Sequence, residues 1–255
     1  MATNITLNSY NLQSDTVKTK SVAHTQGPEQ QLTQLEIARR DKDKLVASSF
    51  GSKKIIINGT IKGTSQSNLE SNIDTFKKNI TGTEMNLDIA YGTSTRRYKV
   101  SLESVTITRD YYHLLFAPFE ISLRAIDPAG YGTSTVSKTW TGITTTDYTG
   151  TLTAEGTFYP EPTITITVNT ATNLTRIQIT NTATGDEILC QGTIVAGDVI
   201  KIDIENLTVL QNTNSMTYQG KFPKFGVGEN KWECTFTATA TKNVDIEIEY
   251  VPRYF

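Results

Sequence analysis

The sequence predicts a mainly β protein built from two domains, and three observations carry that expectation. Apolar residues recur at every second position in run after run, the signature of half-buried strands. A single segment breaks into helical spacing. Composition changes after Asp127-Pro128, where a Gly-, Ser- and Thr-rich passage separates two β-rich blocks. At 255 residues, about 150 residues per domain also gives two. The expected layout is a β-sandwich or barrel-like domain with one α-helix over residues 1–133, then a second β-sandwich over 134–255, linked at about 130–160.

Along the first block, Pro28 to Arg39 fits either element: Leu32 and Leu35 share a helix face, Leu35 and Ile37 a strand face. Ile55, Ile57, Gly59 and Ile61 then alternate with Ile56, Asn58, Thr60 and Lys62. Ser67-Asn68-Leu69-Glu70 has the form of a capping box, in which Ser and Glu satisfy backbone donors reciprocally. Leu69, Ile73, Phe76 and Ile80 follow on one helical face, with Lys77 and Lys78 late, where the helix dipole favours cations. A helix is expected from about Asn68 to Asn79. Met85, Leu87, Ile89 and Tyr91 return to period two. Between Arg97 and Thr108 the phase slips: Tyr98, Val100 and Leu102 share one parity, Val105 and Ile107 the other. A bulge or tight turn near Glu103-Ser104 would absorb the slip. Phe119, Ile121, Leu123 and Ala125 form the last strand of the block.

Gly130 to Gly150 has few large aliphatics and reads as a connection or a poorly buried strand. The second block alternates in four clear runs: Ile164 to Val168, Ile200 to Ile204, Trp232 to Ala238 and Val244 to Tyr250. Short strands separated by Asn and Gly turns make a sandwich or jelly-roll-like domain.

Composition narrows the functional classes. Hydrophobic residues are 37% and charged residues 20% of the chain, enough apolar material for real cores. A net charge of -2 argues against sequence-independent nucleic-acid binding, which needs surplus Lys and Arg. The first residues lack a basic patch followed by an apolar stretch, so no signal peptide is read and synthesis without Sec-type export is expected. The longest apolar stretch, near Leu114 to Phe119, is far below the roughly 20 residues that span a bilayer, so no membrane insertion is expected.

Reactive groups are sparse. The two histidines, His24 and His113, lie far apart in sequence, and a surface or hydrogen-bonding role is expected for each. Ser101, Ser104 and Ser122 sit in strand patterns without a nucleophile-elbow sequence. Phosphate-loop, dinucleotide-binding and zinc-protease patterns do not occur. No enzyme, catalytic residue or cofactor is expected. Asp245, Glu247 and Glu249 share a strand face, either a solvated outer surface or oxygen ligands for a hard cation; the solvated face is preferred, and no metal site is assigned. Cys190 and Cys234 share parity with apolar neighbours and should point inward as small hydrophobes, too few for a disulfide framework. The basic clusters Arg39 to Lys44, Lys53-Lys54 and Arg96-Arg97 read as turn tips and polar subunit contacts.

The order of features carries a further reading. The first block ends in Pro118-Phe119-Glu120-Ile121-Ser122-Leu123-Arg124-Ala125-Ile126-Asp127-Pro128. Then come Pro160-Glu161-Pro162-Thr163-Ile164, Ile179-Thr180-Asn181, Ala196-Gly197-Asp198-Val199-Ile200-Lys201-Ile202-Asp203, Tyr218-Gln219-Gly220-Lys221-Phe222-Pro223 and Gly228-Glu229-Asn230. The chain closes on Ile248-Glu249-Tyr250-Val251-Pro252-Arg253-Tyr254. Over essentially its whole length this resembles the distal tail proteins of long-tailed, non-contractile bacteriophages.

The resemblance implies a virion protein of the tail tip. The N-terminal domains of such proteins form a homo-hexameric ring between the tail tube protein and the tail-associated or baseplate hub protein. DNA passes through the ring without specific binding, and the second domain is a galectin-like β-sandwich. The galectin sugar site does not carry over: no histidine follows His113, and Trp232 should face the core. A closed ring uses a heterologous interface, and the polar segment from Val22 to Phe50 is the candidate arm onto a neighbouring subunit. No particular binding residue is assigned. The alternatives are a host-surface carbohydrate-binding module and a tail-tube-like ring protein.

Overall fold

The computed structural model describes residues 4–24, 27, 30–35, 44–109, 112–238 and 241–255. It divides into two compact units, the first running to Tyr131 with Phe255, the second from Gly132 to Tyr254. The fold is mainly β, with one helix among the described residues, as the alternation predicts.

The first unit contains β1 (Asn4–Leu7), β2 (Tyr10–Asn11), β3 (Val17–Ala23), β4 (Gln30–Leu35), β5 (Lys44–Phe50), β6 (Lys53–Lys62), α1 (Gln66–Ile80), β7 (Met85–Tyr91), β8 (Ser94–Ile107), β9 (Phe116–Ala125) and β10 (Gly130–Tyr131). Its main sheet runs β2-β1-β7-β8-β9-β6-β3, with antiparallel neighbours throughout. Leu12, just after β2, joins the two ends of this order. Its N–H donates to the Ile5 carbonyl at 2.8 Å, and its carbonyl accepts from the Thr19 N–H at 3.1 Å. Gln13 and Lys18 form an adjacent antiparallel bridge. The result is the barrel-like domain expected.

Helix α1 lies over the interior of this sheet. Leu69, Ile73, Phe76 and Ile80 are buried, the face read from their spacing. Each such side chain contributes about 1.5–3 kcal/mol on burial. The Phe76 and Phe119 rings meet at 4.6 Å. Phe119 in turn lies over Gly59, its partner across β6 and β9; a Cβ on Gly59 would come 2.4 Å from the ring.

The helix start corrects the sequence reading. The N-cap is Ser65, two residues before Ser67, and its Oγ accepts from the Asn68 N–H at 3.1 Å. Asn68 Oδ1 accepts from the Thr64 N–H at 3.0 Å. A Ser–Asn pair performs the exchange assigned to Ser67 and Glu70, because Asn68 stands at the third helical position from Ser65. Glu70 instead pairs with Arg109 at 3.0 Å.

The predicted phase slip is a bulge at Glu103. Leu102 pairs with Leu123 and Ser104 with Ser122, leaving Glu103 as the extra residue of β8. Residues 30–35 are strand: β4 and β5 form their own two-stranded sheet, in register from Gln30↔Phe50 to Leu35↔Lys44. Ile37 and Arg39, which entered that ambiguity, lie outside the described residues.

The second unit contains β11 (Val136–Ile143), β12 (Asp147–Ala154), β13 (Thr163–Ala171), β14 (Leu174–Asn181), β15 (Glu187–Ile194), β16 (Val199–Asp203), β17 (Thr208–Gln211), β18 (Asn214–Ser215), β19 (Thr217–Gly220), β20 (Gly228–Thr237), β21 (Lys242–Tyr250) and β22 (Arg253–Tyr254). Two antiparallel sheets, β11-β21-β13-β16-β17-β18 and β12-β20-β14-β15-β19, make a sandwich. Ile164, Ile166, Ile200, Ile202, Ile246 and Ile248 of one sheet share a core with Ile177, Ile179, Ile188, Trp232 and Phe236 of the other. The passage from Gly130 to Gly150 is largely the poorly buried strand of the two readings. Most of β11 is exposed or half-exposed, and β11 and β12 are sheet edges within the stretch read as a linker.

Candidate interaction surfaces

The groups that could do chemistry are engaged structurally. Ser122, on β9 beside the β8 bulge, donates its hydroxyl to Glu103 Oε2 at 2.9 Å, and Arg124 donates to Glu103 Oε1. The hydrogen bond from Arg124, with that from Ser122, holds the Glu103 carboxyl below its ordinary value. A carboxylate so stabilised is a poor proton acceptor, so this group ties the bulge together rather than activating a nucleophile. His24 meets Tyr91, not a serine, with Tyr91 Oη 2.5 Å from Nε2. His113 is exposed beyond β8.

Asp245, Glu247 and Glu249 line the outer face of β21, as expected of a solvated row. Asp245 accepts from the Gly142 N–H at 2.7 Å and from Asn169 Nδ2 at 2.9 Å. Among the described residues no cluster of three His, Cys, Asp or Glu side chains forms a metal cage. Cys190 and Cys234 are buried and free. The strand β14 lies between theirs, since Ile177 pairs with Cys190 and Ile179 with Cys234. Two strand spacings of about 4.8 Å put the Cα atoms beyond the roughly 7 Å that a disulfide spans.

The basic pairs divide. Arg97 grips Asp88 across β7 and β8 with two hydrogen bonds of 2.7 and 2.8 Å. Lys53 departs from the turn-tip reading: it is 4% exposed, with its ammonium 5.2 Å from the centre of the Tyr98 ring. The alternation of β6 turns it inward with Ile55 and Ile57. Lys44 begins β5, and Arg39 to Asp43 lie outside the described residues.

What the first unit offers outward is shaped surface. The β8–β9 connection projects apolar side chains, with Tyr112 93% exposed and Leu114, Leu115 and Phe116 each exposed by more than a third. The sequence signal was the longest apolar stretch itself: Leu114 and Leu115 precede the period-two pattern that buries Ala117, Phe119 and Ile121. The β4–β5 ribbon exposes Leu32 and Phe50. A two-stranded ribbon is marginal alone in water, so this one suits docking against another surface. A shallow recess of about 290 Å³ on the sheet is lined by Asn58, Thr106, Thr108, Pro118, Phe119 and Glu120.

In the second unit, buried polar side chains pin the loops. Asp198 closes the Ala196-Gly197 turn, accepting from the Val195 N–H, Gln211 Nε2 and Asn212 Nδ2 at 2.8–2.9 Å. Asn230 staples the chain at Gly226 and Gly228. Arg253 is buried against the Phe158 and Tyr159 rings and pairs with Glu161 at 2.7 Å. Trp232 is fully buried against Trp140 and Tyr148, so it presents no face for a sugar to stack on. No helix among the described residues is long and apolar enough to cross a membrane.

These features define a two-unit β scaffold whose polar motifs fasten loops. Residues 155–254 match the family model of the siphovirus-type tail component, C-terminal domain (SPP1 Dit). The solved structure of Dit from phage SPP1, described as a paradigm of the hub adsorption apparatus in phages infecting Gram-positive bacteria, shares the fold throughout. Its TM-score is 0.76 at 13% identity, covering 99% of both chains. The fold is thus that of a distal tail protein, as the order of motifs implied. A chain in the phage P2 baseplate, in its activated conformation with Ca, aligns with a TM-score of 0.44 at 10% identity, covering 94% of this chain and 92% of that one. No curated protein matches the chain.

Proposed function

We infer that this chain is a structural protein of the phage tail tip, a non-catalytic hub joining the tail tube to the baseplate. The observation that carries the reading is the tail-component match over residues 155–254, within a fold shared with SPP1 Dit from end to end. In this reading six copies close into a ring through their first units. The ring contacts the tail tube protein on one side and the tail-associated protein on the other, and DNA passes through it. The near-neutral balance of 24 basic and 26 acidic residues suits a conduit that releases DNA.

The β4–β5 ribbon is the arm of this assembly. A heterologous ring needs two different patches on each subunit, and a ribbon with exposed Leu32 and Phe50 supplies one. Light scattering across a concentration series tests the ring. A mass of about 170 kDa, six times the 28.2 kDa chain, is the expected result. Open-ended polymers would favour a tail-tube-like protein. A strict monomer, even with tail-tube protein added, would sink the hub reading.

A further inference from the structure

His24 stands at the root of the β4–β5 ribbon, one residue past the end of β3, and it is only 8% exposed. Its ring stacks on Tyr91 of β7 with centroids 5.5 Å apart and meets Tyr98 of β8 edge-on at 6.3 Å. Lys53, from β6, sits over the other part of this group, its ammonium 5.2 Å from the Tyr98 ring centre. Arg96 of β8 adds a further positive field at Tyr98. Among the described residues no carboxylate pairs with His24 or Lys53. Among the described residues, then, the cations Lys53 and Arg96 and two tyrosines surround the His24 imidazole.

We propose that this group is a pH-sensitive latch, in which protonation of His24 loosens the end of β3 where it pairs with β6. The hydrogen bond to Tyr91 does not oppose the change, because the phenol oxygen can accept from a protonated Nε2 as readily as its hydroxyl donates to a neutral one. The cost falls on the second charge, which would sit in the same water-poor pocket as Lys53. Burial already pushes the imidazole below its ordinary value of 6.5, a hydrogen bond with the Val22 backbone pulls the other way, and Lys53 adds to the lowering. The opened β3 end thus binds the proton more readily than the paired one. Pairing is complete above pH 6.5 and weakens as pH falls below it. The least costly release is at β3, whose end is held by the pairs Val22↔Ile57 and Ala23↔Ile56.

Hydrogen exchange of the full chain, followed at the peptide spanning Ser21 to Ala23 and corrected for intrinsic rates, tests the latch. Protection should fall severalfold between pH 7.5 and pH 5, as the opened segment takes up the proton that the paired one resists. In His24→Phe, which keeps an aromatic ring but cannot gain a proton, the fall should vanish. Equal protection at both pH values in the wild-type chain, or the same fall in His24→Phe, would overturn the proposal. Should His24→Phe not fold, Lys53→Met decides. Removing the buried cation should shrink the pH-dependent fall in part, burial being the larger cause, and an unchanged fall counts against the latch.

Discussion

Gly150 lies directly opposite Trp232 in the β12–β20 ladder, and a Cβ built on it would come 2.3 Å from the indole. The ring occupies the space that a side chain would need. Gly150→Ala should therefore destabilise the second unit by about 1–3 kcal/mol through overpacking. Both tryptophans, Trp140 and Trp232, belong to this unit. Tryptophan fluorescence during urea unfolding isolates its transition, and an unchanged midpoint would contradict the steric account.

The N-cap assignment separates two nearby serines. Ser65→Ala removes the acceptor of the Asn68 N–H and should cost about 1 kcal/mol. Ser67→Ala, on an exposed side chain inside the first turn, should fall within about 0.5 kcal/mol of the parent. Thermal unfolding followed by far-ultraviolet circular dichroism compares them. A larger loss at Ser67 would restore the capping box read from sequence.

Acid should act on the second unit through Asp198. Its backbone hydrogen bond from Val195, then that from Asn212, holds the carboxyl below its ordinary value of 3.8. A carboxyl depressed on folding contributes stability that is fully present above its unfolded value and lost as pH falls through the folded one. The tryptophan-monitored midpoint should drop below about pH 4. Asp198→Asn, less stable at pH 7, should show a shallower drop, and a parallel pH profile would assign the acid sensitivity elsewhere.

Arg253 and Glu161 form the fourth test. Arg253 is almost wholly buried while Glu161 keeps partial contact with water. Glu161→Gln leaves a buried cation with less compensation and should cost about 2 kcal/mol, moderated by that exposure. Arg253→Met keeps an unbranched apolar stem against Phe158 and Tyr159 and should cost less than Glu161→Gln. The double variant should then be no worse than Glu161→Gln alone, because the buried charge is gone. Additive losses would show the two residues acting independently.

Much of this architecture was legible because burial on one face writes itself into the chain at period two. Ile55 to Ile61, Ile164 to Val168 and Val244 to Ile248 are strands for that reason, and Leu69 to Ile80 is helical for the corresponding one. Even the Glu103 bulge was visible, since an extra residue must invert parity. The helix cap was not, because Ser65 and Ser67 carry the same chemistry and the choice depends on where Asn68 falls. Lys53 was misread because a basic doublet looks solvated until a tyrosine is placed over one member of it. The outward surfaces were least legible. Leu114 and Leu115 are of a residue type that fills cores, and their exposure depends on the fold rather than on their immediate neighbours.

The closure at Leu12 bears on how such subunits meet. A sheet whose first and last strands are bridged by the hairpin between them has little unsatisfied backbone along its rim, so another chain cannot extend it strand by strand. Contacts on the barrel wall must be made by side chains, which can be read, mutated and swapped one at a time. Backbone pairing between chains is left to the β4–β5 ribbon and to the sandwich borders β11, β12, β18 and β19. Runaway fibre growth by edge-to-edge pairing is thereby confined to a few short segments.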